Sequence, residues 1–260
     1  MIFKALGWPA ITSIVLLLQI ATANSKGTIT DDLRISSDVL GYDLQYRIYL
    51  PEGYDLGANH PVLFLTDGQN YVTRGRIPDT LDDLIGSGEI EPIVAVFVDP
   101  RDPDDLQINR RNSQFLCNND YLNFFVNELI PAVERDFRVA TIRGGRTIMG
   151  LSFGATNAAC FGLLGHEIFS GIAMQSPANH PIPDLLPAYR EMPMRPLKIF
   201  LSTGTPDDNT RDNRQFRTVL SEKGYDLKYV EVRRGHNWDN WRPLIDDVLL
   251  YFYETDGLVR

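Results

Sequence analysis

Apolar residues in this chain fall into short runs at 62–65, 93–98, 147–149, 171–174, 197–201 and 227–232. Runs of that length, bounded by turn residues and rich in Val, Ile, Leu and Phe, predict strands buried on both faces. Between them the spacing changes to a helical period over 80–85, 120–135, 153–164, 211–223 and 241–253. Strands that alternate with helices form a mostly parallel sheet with helices on both faces. Ahead of these, Leu44, Tyr46, Ile48 and Leu50 alternate with Gln45, Arg47 and Tyr49. Period-2 alternation is the mark of a half-exposed strand and predicts an antiparallel N-terminal edge.

With 260 residues, 43% of them hydrophobic, the chain can bury one large core. No repeat or long Gly/Ser/Pro stretch divides it, and no helical insertion is long enough for a separate lid domain. Residues 1–23 have the form of a signal peptide: Lys4, an apolar run over 11–20, and the small residues Ala21-Thr22-Ala23. The apolar run is shorter than the ~20 residues that span a bilayer. The expectation is therefore an exported protein, periplasmic or secreted, with no stable membrane insertion after cleavage. Residues 24–37 read as an N-terminal extension and 38–260 as one α/β domain. A formal charge of −9 argues against nucleic acid as a partner.

The chemistry concentrates at Gly150-Leu151-Ser152-Phe153-Gly154, which follows a strand run and precedes a small-residue helix. A Gly-x-Ser-x-Gly turn between strand and helix lifts a serine hydroxyl out of the sheet, and the sharp turn excludes side chains at its flanks. In the fold that uses this elbow, the acid and then the histidine follow the serine, each on a loop after a strand. His60 and His166 lie at the wrong edge of the sheet, and His180 has no acid loop between it and Ser152. His236 follows the run at 227–232 and is the predicted base. The acid belongs in Ser202-Thr203-Gly204-Thr205-Pro206-Asp207-Asp208; Asp207 is the first choice, and Asp208 is the fallback or a helix cap. The backbone N–H groups of Phe153 and Gln69 are the predicted oxyanion donors, with Gly68 turning the chain between strand and serine.

These motifs resemble the esterase branch of the α/β hydrolases, which includes enterobactin and feruloyl esterases, S-formylglutathione hydrolases and mycolyltransferases. Leu63-Phe64-Leu65-Thr66-Asp67-Gly68-Gln69 is similar to that family's oxyanion strand and loop. Leu116-Cys117-Asn118, Asn127-Glu128-Leu129-Ile130-Pro131 and Gly235-His236-Asn237 with Trp241-Arg242 resemble enterobactin esterase motifs. Gly204-Thr205-Pro206-Asp207 is similar to the feruloyl esterases' "GTND", which favours Asp207 as the acid. Arg111-Asn112-Ser113-Gln114 departs from the enterobactin esterases' Arg-x-x-Glu. The resemblance implies an α/β-hydrolase fold and a serine carboxylic-ester hydrolase acting through an acyl-enzyme on a small-molecule ester. It requires no cofactor, and the sequence holds no metal motif.

Siderophore-type trilactones or related anionic esters are the first substrate class. A feruloyl or acetyl carbohydrate esterase and a catalytically silent binding protein on the same scaffold are the alternatives. Arg74, Arg76, Arg101, Arg110, Arg111, Arg211, Arg214 and Arg242 all fall on loops at the catalytic edge. They form either a basic mouth for anionic substrates or ion pairs with neighbouring acids. Gly68, Arg111, Trp241 and Arg242 are the predicted substrate-binding residues, with Trp241 packed beside the histidine, lining the acyl pocket or in the core. Cys117 and Cys160 are read as two separate thiols, although an oxidising compartment permits a bridge.

Overall fold

A computed structural model describes residues 26–54 and 57–255. The expected signal peptide at 1–23 lies outside the described residues. Among the described residues nine strands form one sheet: β1 (Thr28–Ile29), β2 (Leu33–Ser37), β3 (Tyr42–Leu50), β4 (Val62–Thr66), β5 (Val94–Asp99), β6 (Arg146–Leu151), β7 (Gly171–Gln175), β8 (Lys198–Gly204) and β9 (Asp226–Val232). Their order is β1-β3-β5-β4-β6-β7-β8-β9, with β2 also pairing with β3. β4 through β9 are parallel, and β1, β2 and β3 are antiparallel. Much of the segment read as an extension therefore adds two strands to the sheet. β3, read as the edge, is covered on its outer side by β1 and β2.

The apolar runs alternate between two cores. Val62 and Phe64 of β4 and Val94, Val96 and Val98 of β5 face one core, while Leu63, Leu65, Ala95 and Phe97 face the other. Both faces of these strands are dry, so their sequences are continuous apolar runs rather than alternating ones. The helices are α1 (Gly68–Asn70), α2 (Ile77–Gly86), α3 (Arg111–Gln114), α4 (Asn119–Phe124), α5 (Ile130–Asp136), α6 (Phe153–Leu164), α7 (Leu185–Glu191), α8 (Thr210–Lys223), α9 (Trp238–Trp241) and α10 (Ile245–Tyr253). A π-helical turn, Phe125–Leu129, joins α4 to α5. The helix expected over 241–253 is interrupted by a 3-10 turn at Arg242–Leu244, where Pro243 supplies no backbone N–H.

α2 and α10 contribute to one core, and α4 to α8 to the other. α6 carries ten buried residues, including Ala155, Ala158, Ala159 and Phe161, consistent with a helix enclosed on all sides. After β4 the chain crosses to α2 on one face, and after β6 to α6 on the opposite face. A crevice therefore opens beyond the carboxyl ends of these adjacent strands, the position where α/β sheets bind ligands.

Candidate active site

Ser152 sits between β6 and α6 with φ 55° and ψ −121°, a conformation costly for a residue with a Cβ. A Cβ on Gly150 would lie 2.2 Å from the backbone of Gly154, and one on Gly154 would lie 2.7 Å from Thr66 Oγ1. Both glycines are thus required by contact as well as by turn geometry. The Ser152 N–H donates to Gln175 O at 2.9 Å, which ties the turn to β7.

His236 follows β9 and brings its Nε2 to 2.8 Å from Ser152 Oγ and its Nδ1 to 2.7 Å from Asp208 Oδ1. Asp208, rather than the expected Asp207, is the acid against the imidazole. Asp207 has φ 62° and an exposed side chain, and its carbonyl accepts the His236 N–H at 3.0 Å. One aspartate therefore holds the histidine loop by its backbone while the next turns its carboxylate inward. The Asp208 side chain is 0% exposed. Nor does Asp208 cap α8, since the N-cap is Asn209.

Five donors surround Asp208. Oδ1 accepts from His236 and from the Asn209 N–H at 2.7 Å. Oδ2 accepts from Ser176 Oγ at 2.6 Å, the Gly204 N–H at 2.5 Å and Asn240 Nδ2 at 2.9 Å. Burial would raise this carboxyl, but hydrogen bonds from His236, Ser176, Gly204 and Asn209 outweigh it and hold it at about 2. An ionised carboxylate only accepts hydrogen bonds, so His236 Nδ1 carries the proton. In a neutral ring Nε2 is then the acceptor for the Ser152 hydroxyl, the arrangement that general-base catalysis requires.

Trp241 has its ring edge-on to His236, with centroids 4.9 Å apart, and its indole N–H donates to Ser176 Oγ at 3.0 Å. It is 6% exposed, so it packs beside the histidine as a supporting residue. Gln175 extends this layer, donating to Trp241 O and accepting from Tyr71 Oη. Ser176, Gln175 and Asn240 were not anticipated from the sequence. The position of Ser176 immediately after β7 was the one available signal.

The Phe153 N–H opens α6 and that of Gln69 lies in the first turn of α1; such amides have no acceptor within their own helix. Gly68 is buried, and a Cβ there would lie 2.3 Å from the Phe97 backbone, so the close packing of this loop on β5 requires glycine. Most arginines at this edge are occupied. Arg76 pairs with Asp79, Arg101 with Asp99, Arg110 with Asp102, Arg111 with Asp67 and Arg214 with Glu231. Among the described residues Arg74, Arg211 and Arg242 have no carboxylate partner. Arg242 and Arg234 line a cavity of about 530 Å³ with Trp238, and Arg74 lies 5.7 Å from the Trp238 ring. On the Phe153 side a smaller cavity, about 200 Å³, is lined by His180, Ile182, Leu186 and Phe216. The His180 ring lies 5.8 Å from that of Phe153.

Cys117 and Cys160 form a disulfide, in place of the two thiols expected. It links the loop after α3 to the helix behind Ser152. Spacing alone gave no sign of this, because one cysteine pair carries no framework information. Among the described residues no group of three or more His, Cys, Asp or Glu side chains could hold a metal ion. No described helix is long and apolar enough to cross a membrane.

A mostly parallel sheet with helices on both faces and a strand–serine–helix elbow defines the α/β-hydrolase fold class. The chain belongs to the family described as Putative esterase, which it matches over residues 37–252, and is a carboxylic-ester hydrolase. It is 27% identical over 243 residues to the uncharacterized protein YjcH of Bacillus subtilis (strain 168), covering 87% of this chain and 98% of that one. Among solved structures it is similar to a ferulic acid esterase, with TM-score 0.76, 21% identity, and coverage of 88% of this chain and 99% of the other. It is also similar to the enterobactin esterase FES from Shigella flexneri, with TM-score 0.76 and 22% identity. That match covers 85% of this chain but 58% of the enterobactin esterase.

Proposed function

We propose that Ser152, His236 and Asp208 are the catalytic triad of this esterase. The observation that carries the reading is the continuous chain of hydrogen bonds from Ser152 Oγ through both imidazole nitrogens to Asp208. His236 takes the hydroxyl proton as Ser152 attacks the ester carbonyl, and the N–H groups of Phe153 and Gln69 receive the oxyanion. The same proton passes to the departing alcohol, leaving an acyl-serine. Water, activated by His236, then releases the acid; an acceptor alcohol in its place would give acyl transfer.

The substrate reading is a siderophore-type trilactone or a related anionic aromatic ester. Its support is the Trp238 cavity, where Arg234 and Arg242 stand beside a large ring together with Asp239 and Asp246, and Arg74 lies over that ring. Stacking and positive charge together select anionic aromatic groups. The second reading, a feruloyl-type carbohydrate esterase, is favoured by coverage: the likeness spans nearly all of the ferulic acid esterase but little more than half of the enterobactin esterase. Export to an oxidising compartment fits the Cys117–Cys160 bridge.

Incubation with a fluorophosphonate probe, followed by peptide mapping, should find the label on Ser152. Unlabelled, folded protein would favour a silent binding protein. Ferric enterobactin, iron-free enterobactin, methyl ferulate and acetylated xylan, compared by kcat/KM, separate the substrate readings.

A further inference from the structure

Arg111 was expected to touch substrate, yet its guanidinium is already engaged. Its Nε lies 2.9 and 2.8 Å from the two carboxylate oxygens of Asp67. One terminal nitrogen donates to Leu151 O at 3.2 Å. Its Cζ lies 5.3 Å from the Phe153 ring centroid and 5.4 Å from that of Phe115. Asp67 is 1% exposed, has φ 56°, and stands two residues before Gln69. Leu151 stands two residues before Phe153. A single side chain therefore joins the two loops that carry the oxyanion donors.

Its own attachment is firm on both sides. Asn109 Oδ1 accepts the Arg111 N–H at 3.0 Å, and the Gln114 side chain donates to Tyr42 Oη at 3.1 Å. Beyond α3, the disulfide fixes Cys117 to Cys160 of α6. Burial pushes the Asp67 carboxyl up and the Arg111 charge and hydrogen bonds oppose it, so without Arg111 the carboxylate is left buried and without its cation.

We propose that Arg111 is a positioning residue that sets the distance between the Gln69 and Phe153 N–H groups. The inference rests on the triad and oxyanion assignment above. Lysine cannot replace a guanidinium here, because one ammonium cannot span a carboxylate and hold Leu151 O in the same fork geometry. A donor misplaced by about 1 Å costs about 100-fold in rate.

The test compares wild type with Arg111→Lys, Arg111→Met and Asp67→Asn on p-nitrophenyl acetate and on an anionic p-nitrophenyl ester. Binding of a phenylboronic acid, which mimics the tetrahedral adduct on serine, is measured alongside. The expected result is a kcat about 100-fold lower on both esters with KM little changed and boronate affinity reduced in parallel. Arg111→Lys keeps the positive charge and provides the reading if Arg111→Met does not fold. A loss confined to KM of the anionic ester would make Arg111 a substrate ligand and overturn the proposal, as would an unchanged kcat in any of the three variants that folds. Fluorophosphonate labelling of wild type reads the triad separately: a labelled enzyme with unimpaired Arg111 variants rejects only the clamp, whereas an inert wild type rejects both.

Discussion

Around Ser152 the polar side chains hold one another, whereas at the Trp238 cavity they face solvent. Asp208 is fully enclosed and receives five hydrogen bonds, and Ser176, Asn240 and Trp241 are buried beside it. Arg74, Arg234 and Arg242 are exposed, and Arg74 lies over the Trp238 ring, whose edge contact with Trp241 leads on to His236. The difference separates two tasks. A preorganised centre fixes reacting atoms within a fraction of an ångström, while an exposed rim can vary with the substrate at little cost to the fold.

The contrast predicts a graded series of effects. Ser152→Ala should lower kcat on p-nitrophenyl acetate by about 10⁶-fold, the scale found when a serine nucleophile is removed from a triad; steady-state kinetics on the folded variant is the check. Next comes Asn240→Ala, which removes donors to Asp208, Ser176 and the Gly235 carbonyl. A loss of about tenfold or more in kcat is expected, as for other removed supporting partners. Arg242→Ala with Arg74→Ala should raise KM for an anionic ester by no more than about fivefold, the scale of an exposed ion pair. If the rim changes cost as much as Asn240→Ala, the division between rigid centre and adaptable rim fails.

Stability offers a parallel reading. Replacing both cysteines with serine removes a cross-link between residues 43 apart and should cost about 4 kcal/mol in denaturant unfolding, on the loop-entropy account. Acid should act through Asp208. Its folded value of about 2 lies below the ordinary 3.8, so the unfolded chain takes up the proton first as pH falls. The stability it contributes is fully present above about pH 4 and is lost between about pH 4 and 2. Comparing acid unfolding of wild type and Asp208→Asn isolates this term, and equal pH dependence in that window would contradict it.

The elbow was legible because strained geometry restricts residues 150 and 154 to glycine. The parallel strands were legible because burial on both faces leaves continuous apolar runs. Choosing His236 needed only chain order and the edge to which each loop belongs. The adjacent aspartates were not separable, because the backbone turn at Asp207 decides which carboxylate points inward and composition carries no trace of that turn. Arg111 could not be assigned from the sequence for a related reason. A loop arginine near a serine can serve substrate or scaffold, and its partner Asp67 lies 44 residues away in sequence. The β1–β2 addition was missed because β1 is only two residues long and the Leu33/Ile35 alternation of β2 is too short to stand out.

The most direct test of the triad compares kcat/KM for Asp208→Asn and Asp207→Asn on one activated ester. A carboxylate that fixes the tautomer of His236 is worth about 10⁴-fold, so Asp208→Asn should fall by that order while Asp207→Asn stays close to wild type. The reverse ranking, or equal losses in two folded variants, would contradict the assignment.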